Sequence, residues 1–152
     1  MRTMAFIIAA AISLSSLCFA EESMKIDWDA IPEDTKLALY ECQQELNQNH
    51  YQQAIEILDK FQKKNPKGNH FLVEFNIGTA YALSGNVPEG IKRLEKAVSM
   101  EARYEPLWMN LGKLYYQTKD YLKAGAAMEK AFSLQTTNDP ETLFMAMASY
   151  YQ

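Results

Sequence analysis

The chain has 152 residues, 48% of them hydrophobic and 22% charged, a globular composition that excludes a disordered, collagenous or acidic-tail protein. Its 15 Lys and Arg face 19 Asp and Glu, a net charge of -4, so it lacks the basic footprint of a phosphate-backbone binder and no nucleic acid is expected as a ligand. One domain is expected from that length.

The first element is an export signal over residues 1–20. Arg2 precedes an apolar run from Ala5 to Leu17, and Cys18-Phe19-Ala20 places small residues three and one positions before the expected cleavage at Glu21. The run is shorter than the ~20 residues that span a hydrocarbon core. An uncleaved membrane anchor and a lipidated Cys18 are the alternatives, although Leu17 stands where a lipobox wants Gly, Ala or Ser. The expected location is therefore periplasmic or secreted. Cleavage leaves Cys42 as the single thiol, so no internal disulfide is expected, and Cys42 reads as a small buried filler.

Residues 21–34 read as an extended segment in which Ile26, Trp28 and Ile31 are placed to lie against the body of the protein, where the chain can cover its own binding surface. From there apolar periodicity and turn residues predict helices over 35–48, 51–64, 71–84, 87–100, 105–118, 121–134 and 140–151, with no strand. Asn86 and Asp120 are suited to cap the helices they precede, and Pro106 and Pro140 sit in first turns, where a missing N–H costs nothing. The four lysines between Lys60 and Lys67 read as a solvated helix end.

Residues Phe75-Asn76-Ile77-Gly78-Thr79-Ala80-Tyr81 reappear as Met109-Asn110-Leu111-Gly112-Lys113-Leu114-Tyr115, and Ile91–Ala97 as Gly125–Ala131, both displaced by 34 residues. Small residues at Gly78, Gly112, Ala124 and Ala131 let paired helices approach, while Leu111, Tyr115 and Met128 fill the space between them. In these residues the chain resembles the tetratricopeptide repeat family and looks like an exported bacterial member. Trp108, Leu111, Gly112, Tyr115, Ala124 and Ala131 carry the pattern best; the second unit has Glu74 where the pattern has Trp, and an earlier, weaker unit shows Tyr51, Ala54, Leu58 and Pro66. The resemblance implies an all-α, right-handed solenoid of about three helix pairs over 35–68, 71–104 and 105–138, plus a C-terminal helix over 139–151. That helix is apolar and a poor solvating cap. Either a partner covers it, by self-association among other ways, or the chain is the front part of something longer.

In such repeats the first helix of each pair lines a concave groove. The resemblance puts Leu39 and Gln43, then Leu72, Phe75 and Thr79, then Met109, Lys113 and Tyr116, and finally Leu143 and Met147 on that surface. Across the whole implied groove the only charges are Lys36 and Lys113. One subclass grips a partner's terminal carboxylate with Lys, Asn and Arg; here Leu39, Gln43, Asn76, Pro106 and Asn110 stand at those positions, so only Asn76 fits, and the two asparagines read as structural. An apolar groove suits a peptide with Leu, Phe or Met anchors. His50 and His70 are isolated, and no H-x-x-x-H, C-x-x-C, G-x-S-x-G or phosphate-binding glycine loop occurs, so neither catalysis, metal, cofactor nor small-molecule substrate is expected. The expectation is a non-catalytic scaffold of the cell envelope that holds a protein or peptide partner in the groove. The alternative is a structural subunit or N-terminal fragment of a larger repeat assembly that stacks through its exposed C-terminal helix.

Overall fold

The computed structural model describes residues 24–66, 69–135 and 140–150, and the export signal expected over residues 1–20 lies outside them. Among the described residues the elements are seven α-helices and one turn of 3-10 helix: α1 (Glu33–Asn47), α2 (Tyr51–Lys64), α3 (Phe71–Leu83), α4 (Val87–Met100), α5 (Glu105–Gln117), α6 (Tyr121–Leu134) and α7 (Pro140–Tyr150). They stack in chain order as antiparallel pairs, α1 with α2, α3 with α4 and α5 with α6, and α7 lies on α6. The expected all-helical solenoid is thus what the chain adopts, with helix ends within two residues of those read from the sequence.

The turn inside each pair is built the same way three times. Asn49, Gly85 and Lys119 have φ of 62°, 89° and 63°, and the residue after each donates its N–H back to the carbonyl five positions earlier: His50 to Glu45, Asn86 to Tyr81 and Asp120 to Tyr115, each at 2.9 Å. This is a left-handed helix stop that satisfies the carbonyls of the last turn. Asn86 and Asp120 then cap α4 and α6 by accepting from the N–H groups of Glu89 and Lys123, as expected.

Close packing follows from the small residues. A Cβ on Gly78 would stand 2.9 Å from Leu94 Cγ, and one on Gly112 would stand 2.6 Å from Met128 Cγ, so each glycine is where two helices touch. Helix α3 runs through the middle of the stack and buries Phe71, Leu72, Val73, Ile77 and Ala80, which is why it is apolar on nearly every side. Cys42 is also buried, and burial pushes its thiol up to about 12, so it is an inert filler.

The segment before α1 departs from the extended stretch expected over 21–34. Trp28–Ala30 form a 3-10 turn, Asp27 caps it by accepting from Asp29 N, and α1 already starts at Glu33. Pro32 flanks that start, and Glu33 and Asp34 place negative charge on the first turn, where the helix dipole favours it. Ile31 is buried, Met24 and Ile26 pack against the core, and Met24 N donates to Arg103 O at 3.0 Å. The segment therefore crosses the ends of α1 and α3 to reach the α4–α5 turn.

One element breaks the repeat pattern. Glu74, at the position of the pattern's tryptophan, is completely buried, and its carboxylate receives Gln62 Nε2 at 2.6 Å, Arg93 at 3.1 Å and Lys96 at 2.5 Å. Arg93 also reaches Asp59 at 3.3 Å, so the network ties α2, α3 and α4 together. Burial would raise the Glu74 pKa, but hydrogen bonds from Lys96, Gln62 and Arg93 prevail and hold it below the ordinary carboxylate value.

Candidate functional site: the concave groove

The first helices of the pairs, α1, α3 and α5, line one face, and three cavities open along it. The first, about 380 Å³, is walled by Ile26, Trp28, Lys36, Tyr40, Gln43, Phe75, Asn76 and Tyr104 over a floor of Leu39 and Leu72. Its wall is partly the chain's own N-terminal segment, so that segment borders the groove and leaves a cavity in it. Tyr104 packs edge-on against Phe71 and Phe75 at ring distances of 5.3 and 5.6 Å. The second cavity, about 160 Å³, lies between α3 and α5 and is lined by Thr79, Ala82, Leu83, Leu94, Asn110, Lys113 and Leu114. The third, about 330 Å³, lies on the other side of α5 against α7 and is lined by Lys113, Tyr116, Met128, Phe144, Met145 and Ala148. No acidic side chain lines any of the three.

The residues named from the sequence divide into three groups. Gln43, Lys113 and Tyr116 are exposed on cavity walls, with Phe75 and Thr79 half-buried beside them. Leu39 and Leu72 are 7% and 3% exposed, so they are core residues whose undersides form the cavity floor. Met109 is half-buried and borders none of the three cavities. Leu143 and Met147 are exposed, but the side of α7 that closes the third cavity carries Phe144, Met145 and Ala148. Helix α7 buries Thr142, Ala146 and Ser149 against the stack, and Tyr150 lies across Gly125 with its hydroxyl donating to Glu129 at 2.8 Å. That seating turns Phe144 toward the groove. Tyr104, Ile26, Trp28 and Phe144 are among the groove residues that repeat positions do not find, because three lie outside the repeat helices and one depends on how α7 is rotated.

The polar groups in the groove are largely spoken for. Asn76 donates to Leu72 O at 2.8 Å, and Asn110 donates to Thr79 Oγ1 at 3.4 Å while the Thr79 hydroxyl donates to Phe75 O, so both asparagines are structural. Lys36 pairs with Glu33 at 2.7 Å. Lys113 makes no ion pair or hydrogen bond with the described residues. His70 caps α3 by accepting from Leu72 N–H, and burial lowers its pKa, so it serves the fold in its neutral form. No group of three or more His, Cys, Asp or Glu that could hold a metal occurs among the described residues.

Residues 105–138 match the family model for the tetratricopeptide repeat. The crystal structure of the Sgt2 TPR domain from Aspergillus fumigatus superposes with a TM-score of 0.68 at 19% identity, covering 86% of this chain and 83% of that one. The TPR2AB domain of yeast Sti1, in a complex with pHSP90, superposes with a TM-score of 0.65 at 16% identity, covering 99% of this chain and 56% of that one. In sequence, the chain is 29% identical over 90 residues to a Hordeum vulgare protein named "Probable UDP-N-acetylglucosamine--peptide N-acetylglucosaminyltransferase SPINDLY", and it spans 10% of that protein's length. Together these support the tetratricopeptide repeat as the building unit, and the structural likenesses show the fold.

Proposed function

We propose that this protein is a non-catalytic interaction scaffold that receives a segment of a partner protein in its concave groove. The repeat itself supports the coarse reading, since tetratricopeptide repeats generally mediate protein–protein interaction. The Sti1 domain of the same fold is in a complex with pHSP90. The observation that carries the reading is the run of three apolar, acid-free cavities along one face of a chain whose net charge is -4. Such a face favours burial of apolar side chains, and its chemistry differs from the rest of the surface. The apolar run from Ala5 to Leu17 behind Arg2 supports work outside the cytoplasm, as an adaptor of the bacterial cell envelope.

A photoreactive amino acid at Gln43, on the wall of the first cavity, tests this against a control at Lys92, exposed on α4. The expected outcome is a partner captured from Gln43 and not from Lys92, whose purified form binds the protein directly. Equal capture from both positions, or none, counts against the groove.

A second reading is favoured by Phe144 and Met147, 70% and 52% exposed on α7: a subunit that stacks on another copy through its last helix. On that reading the protein sediments as a dimer or larger species, and the pair Phe144→Asp with Met147→Asp returns it to monomer. A wild-type monomer at 100 µM excludes it.

A further inference from the structure

Lys113 stands on α5 between two cavities. It lines the 160 Å³ cavity on the α3 side and the 330 Å³ cavity on the α7 side, and it makes no ion pair or hydrogen bond with the described residues. The other groove cation is already neutralised, because Lys36 lies 2.7 Å from Glu33. On the neighbouring helices and turn, Glu95 accepts from the Tyr115 hydroxyl, Asp120 pairs with Lys123, and Glu129 accepts from Tyr150. An ammonium flanked by apolar surface on both sides interacts with an incoming carboxylate through less water than a freely solvated one would.

We infer that Lys113 is the centre of a three-point docking site for an extended peptide in which an acidic side chain lies between two apolar ones. The inference rests on the groove reading above and specifies its ligand. The smaller cavity takes an aliphatic side chain and the larger an aromatic one. A helix with its side chains is ~10–12 Å across, so cavities on the two flanks of α5 are spanned by about three to four extended residues at ~3.3 Å each. Alternate side chains of an extended segment share one face, so positions one, three and five of the segment meet the smaller cavity, Lys113 and the larger cavity. Because apolar cavities lie on both sides of Lys113, the bound chain continues in both directions. The carboxylate is therefore an internal side chain and not a chain terminus. Binding of this kind weakens with salt.

The probe is an N-acetylated, C-amidated heptapeptide with leucine, glutamate and phenylalanine at its second, fourth and sixth positions and serine elsewhere, titrated calorimetrically into the protein. Replacing the peptide's glutamate by glutamine, or Lys113→Gln in the protein, is expected to weaken binding at least tenfold, and Lys113→Glu is expected to prefer a peptide carrying lysine at the fourth position. Lys113 is exposed, and an unchanged melting temperature confirms that the variants fold. The site is overturned by no binding at millimolar peptide, by equal binding of the glutamate and glutamine peptides, or by tighter binding of a peptide that ends in a free carboxylate at the glutamate. If the peptide fails while a partner is still captured from Gln43, this site falls and the groove reading stands; if both fail, both fall.

Discussion

Lys119 is the residue whose backbone conflicts most with its side chain. It occupies the left-handed region at φ 63°, in the same turn that Gly85 makes at φ 89° and Asn49 at φ 62°. Glycine reaches that conformation freely and asparagine tolerates it, whereas a lysine there costs ~1 kcal/mol or more. Lys119→Gly is therefore expected to raise stability by about 0.5–1 kcal/mol, the gain being trimmed by the extra freedom glycine has in the unfolded chain. Chemical denaturation measures it, and a destabilised variant would mean that the Lys119 side chain contributes more than its backbone costs. Gly78 gives the opposite result for the opposite reason. A methyl group there would meet Leu94 Cγ at 2.9 Å and the carbonyl of Gly90 at 3.1 Å. Overpacking of that kind costs ~1–3 kcal/mol against ~1 kcal/mol of improved helix propensity, so Gly78→Ala is expected to cost a net of about 1 kcal/mol, read as a lower denaturation midpoint.

Among the elements, α3 depends on a charge that the pattern of its own helix would not place there. Glu74 is 0% exposed and is held by Gln62, Arg93 and Lys96 from two other helices. Its folded pKa lies below the ordinary 4.5, so the unfolded chain binds the proton more readily, and the network's contribution is present above about pH 4.5 and lost as the pH falls toward the folded value. Glu74→Gln is expected to cost about 2–3 kcal/mol at pH 7, less than the ~3–5 kcal/mol of a wholly enclosed pair because Arg93 and Lys96 keep contact with water. Its melting temperature should also fall less than that of the parent between pH 5 and pH 3.5; parallel acid curves for the two proteins would mean that another group governs acid unfolding. The contrast with the other elements shows what could be read beforehand. Helix ends were legible because apolar spacing and turn residues such as Asn86 and Asp120 act locally. The identity of Glu74 registered only as a missing tryptophan, since its partners come from 12 to 22 residues away in sequence and on faces that periodicity does not assign. The groove was legible as a set of repeat positions, yet Leu39 and Leu72 sank into the core and Phe144 entered the groove, because both outcomes depend on how neighbouring helices seat. Tyr104 lies outside every helix, and only its rings' packing on Phe71 and Phe75 makes it part of the wall.

For the whole molecule, stability in a stack of this kind is the sum of what each unit contributes and what each junction adds, so protection against opening should follow position along the stack. Helix α3 is covered by α2 and α4 and also touches α1 and α5, and the Glu74 network fastens its outer side. Among the described residues helix α7 packs mainly on α6, keeps Leu143, Phe144, Met147 and Tyr150 at 40–70% exposure, and is held there by the seating of Tyr150 on Gly125. Native-state hydrogen exchange is therefore expected to show the slowest amides in α3 and α4, intermediate protection in α5 and α6, and the fastest helical exchange in α7. Gly125→Ala is a sharper test of the same logic. Its new methyl group would stand 2.6 Å from the Tyr150 ring, so it should speed exchange in α7 while leaving α3 and α4 unchanged. Uniform exchange across all seven helices, or a Gly125→Ala effect that spreads to α3, would mean that the stack opens as one unit. In that case the third cavity, one wall of which is α7, would be as permanent as the first. If α7 does open first, the site around Lys113 loses its aromatic pocket while the cavity at Phe75 persists, and the two halves of the groove can bind and release independently.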